Sequence, residues 1–120
     1  MKSIAFIVPY FGRFPINYQL WLESCRRNPS IDFLIFTDDC TKYEYPKNVK
    51  LFHMDFKDIK QKIQKLYNFS LRLENPYKLC DFRPAYGEIF EEFLKGYDYW
   101  GHCDIDLIWG IYESLLQMMY

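Results

Sequence analysis

A near-continuous apolar run at residues 3–9 (SIAFIVP), closed by Pro9, constrains this chain more than any other feature. It lacks the alternation of a half-exposed strand, so it reads as a buried strand in a parallel sheet covered on both faces. Residues 32–37 (DFLIFT) repeat the pattern, and residues 49–53 (VKLFH) and 97–103 (YDYWGHC) supply two further strands. Helical patterns lie between them. Pro15 suits a first helical turn, and Tyr18, Leu22 and Cys25 recur at helical spacing before Arg26, Arg27 and Asn28-Pro29 end the segment. Asp55 caps a second helix whose apolar stripe is Phe56, Ile59, Ile63 and Leu66. Residues 75–83 (NPYKLCDFR) read as a structured loop. Pro84 then opens a helix with Ile89, Phe90, Phe93 and Leu94 facing inward and Gly96 at its end. This alternation predicts an α/β fold, Rossmann-like, with a mostly parallel sheet flanked by helices.

Composition narrows the function classes. A chain of 120 residues makes one domain at most and buries roughly two-thirds of its unfolded surface. With 50% hydrophobic residues it is not intrinsically disordered, and a net charge of −1 argues against a nucleic-acid binder. No apolar stretch approaches the about 20 residues that span a bilayer, and no export signal follows Lys2. The four cysteines, Cys25, Cys40, Cys80 and Cys103, include no C-x-x-C pair. Without an export signal they read as reduced thiols in the cytoplasm, with structural or incidental roles and no zinc site.

Open α/β sheets bind ligands beyond the carboxyl ends of their strands. That rule selects Pro9 and Tyr10, Asp38 and Asp39, and Asp104 and Asp106. In an extended segment Asp104 and Asp106 point the same way, and two hard oxygen donors suit Mg²⁺ or Mn²⁺. The motif alone is weak, because nine aspartates in 120 residues produce about 0.7 D-x-D matches by chance. Its position after a strand, among Ile105, Leu107 and Ile108, is what lifts it. Asp38 and Asp39 suit either a ribose or base contact or a simple turn. In PYKLCDFRPAYG, Lys78 offers a point charge to a diphosphate and Arg83 a fork, with Asp81 orienting either cation or accepting from a sugar hydroxyl. The bland alternative is a surface ion-pair loop. His102 sits two residues before Asp104 and is either a ligand or an ordinary edge histidine. Glycine-rich phosphate loops and H-E-x-x-H patterns do not occur.

With these residues in view, the chain resembles bacterial glycosyltransferases of the GT-A fold, specifically transferases of capsule, lipopolysaccharide and other surface-polysaccharide biosynthesis. The blocks IAFIVPYFGRFP, FLIFTDD, PYKLCDFRPAYG and YDYWGHCDIDLIWG carry the resemblance in that order, to about Gly110. It implies a nucleotide-sugar-binding part over residues 1–110 and an atypical tail over 111–120. It also implies that Pro9, Tyr10 and Phe11 border the base, that Asp38 or Asp39 meets the nucleoside, and that Lys78 and Asp81 contact the donor. Asp104 and Asp106 match the D-x-D pair that holds Mn²⁺ or Mg²⁺ against the donor diphosphate, with Asp104 also touching the donor. The implied reaction moves a sugar from a nucleotide-diphosphate donor, a UDP-sugar in the first instance, to a hydroxyl on a glycan or lipid-linked acceptor. The metal stabilises the departing diphosphate.

GT-A enzymes continue well past this point, so the chain reads as a donor-binding half lacking a C-terminal half, with no catalytic base assigned. The implied setting is the cytoplasm, with peripheral contact at the inner membrane face left open. A non-catalytic nucleotide-sugar-binding fragment or interaction module is the alternative. A phosphatase of the haloacid-dehalogenase type is disfavoured, because Ile108 replaces the Thr or Val of that pattern and the motif lies on the fourth strand.

Overall fold

The computed structural model describes residues 3–67, 73–106 and 110. Its sheet has four parallel strands, β1 (Ile4–Tyr10), β2 (Ile31–Thr37), β3 (Val49–His53) and β4 (Tyr99–His102), in the order β3-β2-β1-β4. Around it lie α1 (Tyr18–Arg26), α2 (Phe56–Leu66), a 3₁₀ segment (Pro76–Ala85) and two one-turn helices, α3 (Tyr86–Ile89) and α4 (Glu91–Leu94). The chain thus has the α/β, Rossmann-like architecture that its apolar strands predict.

Both faces of the central strands are buried, which explains their unbroken apolar character. Ala5 and Ile7 of β1 and Leu34 and Phe36 of β2 pack with Ile59 and Ile63 of α2 and with Ile89 and Phe90. Val8, Phe33 and Ile35 point the other way, into a core shared with Tyr18, Trp21, Leu22 and Cys25 of α1. Successive side chains of a strand alternate faces, so only a strand covered twice needs apolar residues at every position. A polar clasp closes the α1 layer: the buried Asn48 side chain donates to the carbonyls of Cys25, Asn28 and Ile31 at 2.8–3.0 Å. At the start of α2, the Asp55 N–H donates to the Asp58 carboxylate at 3.0 Å, as a capping acid should.

Three elements differ from expectation. The last strand is shorter than residues 97–103 and, as an edge strand, largely exposed. The stretch expected as a loop is a 3₁₀ segment that begins at Pro76, where a missing N–H costs nothing. It runs through Pro84, which therefore lies inside it and opens no helix. The single helix expected after Pro84 is instead α3 and α4, interrupted at Phe90. Phe90 is fully buried, with its ring 4.5 Å from that of Phe36.

Candidate functional site

Strand order creates the site. From β1 the chain builds outward through β2 to β3, and then β4 returns to the opposite side of β1. Connections on either side of such a switch point leave in opposite directions and leave a crevice beyond the carboxyl ends of the two strands. The register deepens it. β4 stops at His102, opposite Ile7, whereas β1 continues to Tyr10. Residues 103–106 therefore leave the ladder beside the last residues of β1 and form one wall of a cleft of about 680 Å³.

Pro9, Tyr10 and Phe11 line it as well, and the aromatic pair diverges across the sheet edge. Tyr10 stacks on Phe14 (ring centroids 5.4 Å apart) on the α1 side, and Phe11 meets Phe56 of α2 edge-on at 5.8 Å. The floor and a further wall come from the 3₁₀ segment and α3. Side chains three apart eclipse in a 3₁₀ helix, so its residues sort into three faces. Leu79, Phe82 and Ala85 pack on the core. Cys80, Arg83 and Tyr86 turn toward the cleft. Lys78, Asp81 and Pro84 face solvent. Lys78 and Asp81, both expected to contact a donor, thus lie outside the cleft lining, and the cation that lines it is Arg83. Gly87 permits this packing, since a Cβ there would sit 2.7 Å from the Trp100 ring.

Asp104 and Asp106 are both exposed and both line the cleft, while Ile105 between them is buried with Val8, Phe14 and the α1 core. Both acids thus border the same cleft, and the bend between them is anchored by an apolar side chain. Arg83 Nη2 donates to Asp104 Oδ1. Desolvation works against the guanidinium charge, but attraction to Asp104, with smaller contributions from Cys80 and Tyr86, outweighs it and raises the Arg83 pKa. Among the described residues Asp106 has no hydrogen-bond or ion-pair partner. Burial pushes the Cys103 thiol up to about 12, aided by Asp104 and opposed by Arg83. Burial also raises Tyr86 to about 12, and its hydroxyl donates to the Leu79 carbonyl at 3.2 Å. His102 also lines the cleft, its ring edge-on to Tyr86 at 6.1 Å.

Asp38 and Asp39 have a different occupation. Asp38 Oδ1 accepts the Gly12 N–H at 2.8 Å. Asp39 accepts the Phe14 N–H at 2.9 Å and the Thr41 N–H at 2.8 Å. Hydrogen bonds from Thr41, then from Phe14, hold the Asp39 carboxyl below its ordinary value. Both acids lie outside the cleft lining and pin the loop after β1, whose Gly12 has φ = +104°. They shape the aromatic wall without facing into the cleft.

The sequence profile of one family matches residues 6–119, nearly the whole chain. The chain belongs to DUF6625, a family of unknown function. The DUF6625 match takes in every element described above from Phe6 onward, and it continues through residues 111–119. No curated protein and no solved structure matches the chain. No helix among the described residues is long and apolar enough to cross a membrane.

A divalent cation is compatible with the donor set. Among the described residues no group of three His, Cys, Asp or Glu side chains gathers to enclose an ion, so the cleft has no all-protein cage. Two carboxylates bordering one open cleft instead suit a hard cation that completes its shell with waters and a ligand's phosphates.

Among the lining residues that the sequence does not mark as site residues are Cys80, Tyr86 and Cys103. The period-three recurrence of Leu79, Phe82 and Ala85 was the available signal for the first two. Nothing local marks Cys103.

Proposed function

We propose that this chain is the nucleotide-sugar-binding part of a metal-dependent glycosyltransferase. It would take a UDP-sugar and pass the sugar to a hydroxyl of a glycan or lipid-linked acceptor in bacterial surface-polysaccharide synthesis. The observation that carries the reading is the pair Asp104 and Asp106, flanking buried Ile105 at the β1/β4 switch point with Arg83 across from them. In this reading the two acids hold Mn²⁺ or Mg²⁺ against the donor diphosphate. When bound, the cation neutralises charge that accumulates on the departing nucleoside diphosphate. Arg83 supplies the second positive group, its fork matching phosphate oxygens. Tyr10 and Phe11 offer flat apolar surface for a base.

Calorimetry with UDP in the presence and absence of Mn²⁺ tests the proposal. The parent chain should bind UDP in a metal-dependent manner, and Asp104→Ala/Asp106→Ala should lose that dependence. Metal-dependent binding that survives the double substitution overturns the assignment.

A second reading, a nucleotide-sugar-binding module without turnover, is favoured by the cleft's acid inventory. Among the described residues its only carboxylates are the two assigned to the metal, which leaves no further carboxylate to act as a base. Sugar transfer or donor hydrolysis by the purified chain would count against that reading.

A further inference from the structure

The two acids of the cleft are not equivalent. Asp104 is held by Arg83, whereas Asp106 faces the same space with no partner among the described residues. Arg83 is also the only Lys or Arg among the described residues that line the cleft. Packing does not explain the contact, because Leu79, Phe82 and Ala85 anchor the segment and the Arg83 side chain stays 32% exposed.

We propose that Arg83 is a displaceable counter-cation for Asp104, occupying that carboxylate until a divalent cation arrives and then transferring its fork to the ligand's diphosphate. The inference rests on the donor-binding reading above. Two carboxylates facing one cleft repel each other, and a neighbouring guanidinium relieves that repulsion. Arginine stays protonated across the working range, so it leaves the acid only by moving, not by titrating. The pair is suited to such a move. Asp104 is 52% exposed, and pairs this accessible are worth little, so a doubly charged ion displaces the guanidinium at small cost. Once displaced, Arg83 remains on the cleft face of the 3₁₀ segment, where an incoming diphosphate is the nearest anion. Arg83 is therefore a ligand-binding residue that opposes metal binding and favours diphosphate binding.

Those opposite signs make the test. Mn²⁺ binding by water-proton relaxation is measured on the parent, Arg83→Gln, Arg83→Lys and Asp104→Asn, followed by UDP titration at saturating Mn²⁺. Arg83→Gln should bind Mn²⁺ alone about two- to five-fold more tightly. The same variant should bind UDP about ten-fold more weakly. Arg83→Lys should restore the parental Mn²⁺ affinity while UDP stays weakened, because a point charge holds Asp104 but does not reproduce the fork. A purely structural role would weaken both ligands together. Unchanged or weaker Mn²⁺ binding in Arg83→Gln, with binding abolished in Asp104→Asn, overturns the counter-cation and leaves the donor-binding reading standing. Full UDP affinity in Arg83→Lys overturns the transfer of the fork. Mn²⁺ binding untouched in Asp104→Asn overturns the inference together with the reading it rests on.

Discussion

The acids after β2 and the acids after β4 begin from the same position, the carboxyl end of a parallel strand, and meet opposite fates. Asp38 and Asp39 give their oxygens to the backbone N–H groups of Gly12, Phe14 and Thr41. Among the described residues, Asp104 and Asp106 receive no backbone N–H, and the one cation lining the cleft they face is Arg83. A carboxylate held by backbone amides in fixed positions is a structural part. One whose partner is a half-exposed side chain can exchange that partner for a ligand. Position at the ligand edge nominates an acid, and the identity of its hydrogen-bond donors decides its role.

The largest expected difference between the two pairs lies in stability. Asp39→Ala removes the acceptor of one part-buried and one exposed amide and should cost about 1–2 kcal/mol. Asp104→Ala and Asp106→Ala should each stay within about 0.5 kcal/mol of the parent. Thermal unfolding followed by circular dichroism reads this directly, and equal losses at both sites would dissolve the distinction. Of similar size, Gly12→Ala forces a Cβ onto φ = +104° beside the Asp38 contact and should cost about 1–2 kcal/mol with no change in the cleft acids.

Acid sensitivity gives a smaller, signed effect. The Asp39 pKa is depressed in the folded state by bonds from Thr41 and Phe14. Its contribution is therefore fully present above the unfolded value near 3.9 and is lost as pH falls through the lower folded value. Urea midpoints from pH 6 down to pH 3 should fall more steeply for the parent than for Asp39→Asn. The least perturbing check uses the thiols. Alkylation at pH 8, located by mass spectrometry, should modify exposed Cys40 and Cys80 first. It should spare Cys25 and Cys103, whose pKa values burial raises. Rapid modification of Cys103 would mean that the Asp104 wall of the cleft opens more than its packing suggests.

Much of the fold was legible because it repeats local rules. Apolar strands without alternation, Tyr18, Leu22 and Cys25 on one stripe, and Asp55 before Phe56 all state their structure within a few residues. The site was less legible. Lys78 and Asp81 carry the charges expected at a donor site, yet a 3₁₀ period of three turns them to solvent and turns Arg83 inward. A helix of 3.6 residues per turn or an irregular loop would have distributed those side chains differently. The polar, aromatic-bearing stretch of residues 75–83 suggests a loop, and the period-three recurrence of Leu79, Phe82 and Ala85 is a weaker signal.

The order of residues alone determined that this chain has parallel strands buried on both faces, and that acids stand at the ends of two of them. Those outcomes follow from hydrophobic patterning, which acts through neighbours in the chain. Only the tertiary structure decided which acids remain available and which cation faces them. That choice depends on the strand order β3-β2-β1-β4 and on amides 25 to 26 residues away in sequence, and short-range patterning encodes neither.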